Sequence, residues 1–286
     1  KKLKVFGITG TKGKTTTAYL LESILLKAGA RPGVIGTIDY RVDGHVISAA
    51  ANTTPFAHTL QELLARMVAA DALTAVMEVS SHALALGRAD DVDLDVAAFT
   101  NLQRDHLDFH KDRESYFQAK ARIFELLARS SKKDKCAVIN QDDERAPALL
   151  KMVKGKVRAL TFGIEKPADL RAEGVEVTGS LTRFTLKYGA DSVPVCLKLL
   201  GRHNVYNALA AAACAVGGGG SLRAAVEGLE SLANVPGRLE RVNAGQDYTV
   251  FVDYAHTDAA LENVLANLKL MPHNRILTLF GCGGDR

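Results

Sequence analysis

In Lys4-Val5-Phe6-Gly7-Ile8-Thr9-Gly10-Thr11-Lys12-Gly13-Lys14-Thr15-Thr16-Thr17 an apolar, β-branched run gives way to a helical pattern that continues to residue 28. A strand that enters a helix through glycines lets backbone N–H groups converge on phosphate oxygens, and the helix N-terminus adds its partial positive charge. Lys14 is placed to reach the outer phosphates of a nucleotide, and the Thr15 hydroxyl to bind Mg²⁺. Strict phosphate-loop spacing would put the first glycine where Ile8 stands; here Gly10 lies closer to Gly13-Lys14-Thr15. The competing reading is an ordinary glycine-rich strand–helix turn. Gly-Lys-Thr at the helix start favours the phosphate loop.

Beyond this stretch, strand patterns over 33–40, 74–79, 95–100, 137–140 and 158–162 alternate with helical patterns over 59–70, 113–128 and 144–152. That order predicts an α/β fold with a mostly parallel sheet flanked by helices. Shorter alternating runs over 171–178, 182–188 and 193–198 predict a small antiparallel meander. Helices over 204–216 and 222–232 follow, joined by the glycine run 217–220, read as a mobile loop. Asn234-Val235-Pro236-Gly237 is a turn-rich break. After it the pattern restarts with a strand over 249–252, a helix over 259–268 and a strand over 276–280, read as the first βαβ unit of a second, Rossmann-like domain. The division predicted is 1–237 and 238–286.

The 286 residues are 47% hydrophobic and 24% charged, the balance of an ordinary globular protein. A net charge of +4, spread along the chain, argues against nucleic acid as a partner and suits small anions such as nucleotides. Cys136, Cys196, Cys214 and Cys282 form no CxxC pair and have no histidine at zinc spacing, which reads as reduced thiols in a cytoplasmic protein. No apolar run is long enough to span a membrane, and no secretory signal is visible. The chain begins at Lys1 without methionine and stops just after an apolar run, so both ends read as cut and the chain as a fragment, inactive by itself.

Met77-Glu78-Val79-Ser80-Ser81-His82 ends an apolar strand, which puts the Glu78 carboxylate in the same crevice as the phosphate loop. Glu78 is either a solvated strand-end residue or a Mg²⁺ ligand. The next strand ends in Thr100-Asn101-Leu102-Gln103-Arg104-Asp105-His106-Leu107-Asp108, where His106 is either a hydrogen-bonding surface residue or a metal ligand. Lys120 shares a helix face with Phe117, Phe124 and Leu127. A lysine there either snorkels outward or is buried, with a lowered pKa and a neutral amine that can react with CO₂ to form a carbamate.

Taken together, these segments resemble the Mur ligase family and, within it, the UDP-N-acetylmuramoyl-tripeptide synthetases of the MurE type. The resemblance runs over nearly the whole chain. It implies a central ATP-binding domain followed by the start of a C-terminal ligase domain. It implies that Gly10, Thr11, Lys12, Gly13, Lys14, Thr15 and Thr16 bind ATP. In Gly201-Arg202-His203-Asn204-Val205-Tyr206-Asn207, residues Asn204 and Asn207 match the helix start near the adenine; Arg238 and Asp253 match further ATP contacts. Asn52, Thr53, Thr54, Ser80 and Arg88 match contacts to the UDP-MurNAc-peptide. The family's two Mg²⁺ sites imply Thr15 and Glu78 at one, and Glu78, His106 and Lys120 (as a CO₂-derived carbamate) at the other.

The implied catalytic set is Lys14, Glu78, His106 and Lys120. The implied reaction adds meso-diaminopimelate or L-lysine to UDP-MurNAc-L-Ala-D-Glu through an acyl phosphate, in peptidoglycan synthesis, by a cytoplasmic monomer. Where the family reads Asp-Tyr-Ala-His-Thr-Pro-Asp, this chain has Asp258 and Ala259 in place of the last two residues. A folylpolyglutamate or cyanophycin synthetase would share the phosphate loop, as would an NTPase without ligase activity. Asn52–Pro55 and Ser80–Arg88 favour the MurE type.

Overall fold

The computed structural model describes residues 3–105, 107–178, 181–256, 258–269 and 271–281. Strand β1 (Lys4–Thr9) passes through the glycine loop into α1 (Lys14–Lys27). There follow β2 (Pro32–Ile35), β3 (Asp39–Val42), β4 (His45–Ala49), α2 (Ala57–Ala69), β5 (Thr74–Glu78), α3 (Ser81–Ala85) and β6 (Val96–Phe99). Next come α4 (Leu107–His110), α5 (Arg113–Arg129), β7 (Cys136–Asn140), α6 (Ala146–Val153) and β8 (Arg158–Gly163). A meander of β9 (Leu170–Val177), β10 (Thr182–Tyr188) and β11 (Asp191–Leu197) leads to α7 (Arg202–Gly217) and α8 (Leu222–Ser231). The last elements are β12 (Glu240–Val242), β13 (Val250–Val252) and α9 (Asp258–Lys269).

The eleven strands β1 to β11 form one sheet in the order β11-β10-β9-β8-β7-β6-β1-β5-β2-β3-β4. Pairing is parallel from β2 through β9 across the middle of the sheet and antiparallel in the hairpins at both edges. Alternation along β1 explains the two cores. Phe6 and Ile8 face α1, α7 and α8 with Leu20, Leu21, Val205 and Leu209. Val5 faces the other side, where Leu60 and Met67 of α2 and Phe117 and Ile123 of α5 pack. Alanines from Ala208 to Ala213 are all buried, so α7 can lie close on β7, β8 and β9.

The parallel sheet and its flanking helices are as expected, and the differences lie at one edge of the sheet and near residues 276–280. The predicted strand over 33–40 breaks at Gly36, because after Ile35 the chain leaves its pairing with β5 and turns back to pair antiparallel with itself. The turn at Asp43-Gly44, both with positive φ, then closes the β3–β4 hairpin, an unanticipated extra edge. The glycine run joins α7 to α8 as expected, and the N–H groups of Gly218, Gly219 and Gly220 close the end of α7 on the Cys214, Val216 and Ala215 carbonyls. Residues 276–280 are not a strand, since no described segment offers them a ladder, and Leu277, Leu279 and Phe280 are exposed. The βαβ unit is therefore not closed; β12 and β13 instead form a separate antiparallel pair.

Candidate active site

Strand β1 lies between β5 and β6, so the loops leaving all three strands meet at one crevice. Helix α1 starts at Gly13 (φ 90°) with no side-chain cap and no acidic residue in its first turn, leaving its N–H groups open to an anion. A side chain at Gly13 would strike the Asn207 amide, so the phosphate loop and the start of α7 touch there. Asn207 donates to Asn204 Oδ1 at 2.9 Å, and Asn204 to the Leu200 carbonyl at 2.8 Å.

The segment after β6 holds the loop from the other side. The Thr100 hydroxyl and the Asn101 amide donate to the Lys12 carbonyl at 2.7 and 3.0 Å, and the Lys12 N–H returns to Asn101 Oδ1 at 3.1 Å. The Thr11 N–H donates to the Asn101 carbonyl at 2.8 Å, and its hydroxyl accepts from the Gln103 N–H at 2.9 Å. Lys12 pairs with Asp105 at 3.1 Å. The Asn140 amide braces the segment by donating to the Thr100 carbonyl at 2.7 Å.

Two lysines converge on one carbonyl: Lys14 Nζ and Lys120 Nζ donate to the Gly10 oxygen at 2.9 and 2.8 Å. Lys120, 1% exposed, lies over the Tyr116 ring, whose hydroxyl meets Thr11 Oγ1 at 3.2 Å. Burial holds the Lys120 amine well below the ordinary lysine range, and the neighbouring Lys14 charge pushes the same way. Burial lowers Lys14 too, opposed by the Glu78 charge.

Glu78, also 1% exposed, accepts from the Thr15 hydroxyl at 2.9 Å. A hydroxyl and a carboxylate at the loop edge are hard oxygen donors of the kind magnesium takes while keeping several waters. Magnesium needs no dense protein cage, and among the described residues no group of three or more His, Cys, Asp or Glu is arranged to hold a metal ion. His106 lies outside the described residues.

The residues expected to contact the peptide gather behind Glu78. The Thr54 hydroxyl donates to the Glu78 carbonyl at 2.9 Å and accepts from the Ser80 N–H at 3.0 Å. Ser80 Oγ caps α3 by accepting from the Ala83 N–H. Arg88 donates to the Thr54 carbonyl at 3.1 Å and lies over the Phe56 ring, while its Nε is buried without an acceptor among the described residues. Thr53 is half-buried next to them, and Asn52 is exposed, its carbonyl held by the Tyr40 hydroxyl. Arg238 lies near enough to contribute to the field at Lys14; Asp253 caps the N–H groups of Leu239 and Ala255.

Sequence reasoning missed Thr37, whose N–H and hydroxyl both reach Glu78. A threonine just past the end of β2 was the available signal, by the same strand-end logic that singled out Glu78. It also missed Tyr116 and His110, the latter buried with its ring nitrogen 3.0 Å from Ser81 Oγ.

A phosphate-loop helix at the switch point of a parallel sheet, walled by a buried lysine and a strand-end carboxylate, defines the class: a P-loop-type α/β protein. The chain belongs to the Mur ligase family: residues 8–215 match the Mur ligase middle domain, and residues 237–286 match the Mur ligase, glutamate ligase domain. The UDP-N-acetylmuramoyl-L-alanyl-D-glutamate–2,6-diaminopimelate ligase of Bacillus cereus is 44% identical over 287 residues, covering 100% of this chain and 58% of the relative. Its counterpart in Geobacter sulfurreducens is 48% identical over 284 residues, covering 99% of this chain and 55% of the relative. This chain thus spans a little over half the length of these relatives. A solved ligase of the same name superposes with a TM-score of 0.84 at 34% identity, over 100% of this chain and 57% of that one. The E. coli FolC structure with DHPP and ADP aligns with a TM-score of 0.72 at 26% identity, over 95% of this chain and 66% of that one.

Proposed function

We propose that the chain is the ATP-binding part of a ligase that activates a carboxylate with ATP and joins it to an amine. The acid is UDP-MurNAc-L-Ala-D-Glu and the amine diaminopimelate, the substrates in the names of the relatives. The observation that carries this reading is the convergence of Lys14 and Lys120 on the Gly10 carbonyl beside an uncapped helix start, with Glu78 joined to Thr15.

The triphosphate lies along residues 10–16, with the α1 N–H groups on its oxygens. Lys14 turns from the Gly10 carbonyl to the outer phosphates. Asn204, Asn207, Arg238 and Asp253 hold the rest of the nucleotide. Arg88, Ser80, Thr54, Thr53 and Asn52 orient the UDP-MurNAc-peptide so that its terminal carboxylate attacks the γ-phosphorus, releasing ADP and leaving an acyl phosphate. The amine then attacks the acyl carbon, loses a proton, and phosphate departs. Magnesium, held by Thr15 and Glu78 and at a second position by Glu78, His106 and carbamylated Lys120, would offset the charge on phosphates and carboxylate. The carbamate would arise when the neutral Lys120 amine adds to CO₂ and gives up one proton.

We assign residues 1–237 to the central domain and 238–286 to the start of the ligase domain. The enzyme is a cytoplasmic monomer on this reading; no helix among the described residues is long and apolar enough to cross a membrane.

The test is ADP release by the full-length enzyme. Sustained release over many turnovers should require UDP-MurNAc-L-Ala-D-Glu together with diaminopimelate, and a folate substrate with glutamate should not replace them. Lys120→Ala should lower turnover by about 10²-fold or more, as removal of a group acting at developing charge does. A short-chain carboxylic acid should restore part of it. A fully active Lys120→Ala enzyme would refute the role given to this lysine.

A further inference from the structure

Thr37 stands between the carboxylate assigned to magnesium and the loop assigned to the peptide. Its N–H donates to Glu78 Oε1 at 2.8 Å and its hydroxyl to Glu78 Oε2 at 3.0 Å. A carboxylate held at both oxygens by one residue has its plane fixed, with Oε2 turned to the Thr15 hydroxyl 2.9 Å away. Gly36 makes room for this arrangement, because a Cβ there would lie 2.6 Å from Oε1. A hydroxyl donates only one hydrogen. Thr37 gives its hydrogen to Glu78, so in its 3.1 Å contact with Thr53 Oγ1 the Thr53 hydroxyl is the donor. The result is a directed relay: Thr53 hydroxyl to Thr37 hydroxyl to Glu78 carboxylate.

We propose that Thr37 is the positioning residue that aims the Glu78 carboxylate at the metal on the triphosphate, and that through Thr53 it ties the metal site to the peptide-binding loop. This rests on the reading that Thr15 and Glu78 hold magnesium. The relay needs the hydroxyl, not the shape: Thr37→Val keeps the branched side chain and the N–H but leaves Oε2 without one donor, whereas Thr37→Ser keeps both donors.

The experiment is equilibrium binding of a non-hydrolysable ATP analogue to the full-length enzyme, titrated with Mg²⁺, with thermal melting of each variant in parallel. Thr37→Val should need about tenfold more Mg²⁺ for half-maximal binding, the size of effect seen when a ligand-orienting partner is removed. Thr37→Ser should stay within about twofold of the parent, and Thr53→Val should shift in the same direction as Thr37→Val by about threefold. Parent-like Mg²⁺ dependence in Thr37→Val would overturn the proposal, as would a Thr37→Ser protein as impaired as Thr37→Val. An unshifted Thr53→Val would overturn the link to the peptide loop. If Thr37→Val melts early, Thr37→Ala in the same titration decides between the same outcomes. If the parent binds the analogue with no need for Mg²⁺, or Glu78→Gln leaves its Mg²⁺ dependence unchanged, the metal assignment fails as well. A Mg²⁺-dependent parent with an unaltered Thr37→Val removes this inference alone.

Discussion

At the carboxyl ends of β1, β5 and β6, the half-buried Lys14 and the fully buried Lys120 lie beside the open N–H groups of α1. At the amino ends of the strands, Lys4, Lys133, Lys135, Lys156 and Arg158 line an open cavity of about 950 Å³, larger than the second cavity of about 260 Å³ beside Asp90. Size and positive charge would favour the amino end. Helix polarity decides otherwise. The carbonyl end of α7 faces that cavity, and Lys4 and Arg158 donate to its Gly218 and Gly217 carbonyls, while Lys135 donates to Ala128 and Ser130 at 2.7 and 2.9 Å. These cations complement helix ends that are already negative. In the crevice, the uncapped start of α1 presents open N–H groups and partial positive charge to an arriving anion. A cluster of lysines marks a binding site only where backbone dipoles point the same way.

The largest effect that would sharpen this contrast is on nucleotide binding. Lys14→Ala should weaken ATP affinity by about 30-fold or more, since truncating one partner of a buried charge pair costs roughly 2–5 kcal/mol. Calorimetric titration checks it, and an unchanged affinity would place the nucleotide elsewhere.

A smaller effect concerns stability at the same end of the sheet. Burial alone would raise the Asp142 pKa, but the N–H groups of Glu165, Ile164 and Lys166 and the Tyr206 hydroxyl outweigh it and hold the pKa below the ordinary carboxylate value. A depressed folded-state pKa gives stability that is present above the unfolded pKa and lost as pH falls through the folded one. Asp142→Asn should therefore cost about 1.5–3 kcal/mol at neutral pH, the range for hydrogen bonds to a charged group. The gap to the parent should close in acid, as urea melts across pH would record. An equal gap at both extremes would contradict it.

The smallest expected effect is at the amino end. Lys4→Ala and Arg158→Ala together should leave ATP affinity unchanged and lower stability by no more than about 1 kcal/mol, because exposed cations at a helix end contribute little. A clear loss of nucleotide binding would break the contrast drawn between the two ends.

Much of the crevice was legible along the chain. Strand and helix periods around Gly10 to Thr17 gave a glycine-rich strand–helix turn, the apolar run ending at Glu78 put a carboxylate at a strand's carboxyl end, and the spacing from Phe117 to Phe124 put Lys120 on an apolar helix face, leaving open whether it snorkels outward or is buried. These are local properties, governed by backbone dihedrals and by which side of an element meets apolar neighbours. What local pattern cannot state is the partner. Lys120 meets a carbonyl 110 positions away, Thr37 reaches a carboxylate 41 positions on, and residues 276–280 stay unpaired despite their strand-like composition. Those outcomes depend on the order in which distant strands hydrogen-bond, and a hydrogen bond or a ladder exists only when tertiary packing brings both halves to the same place.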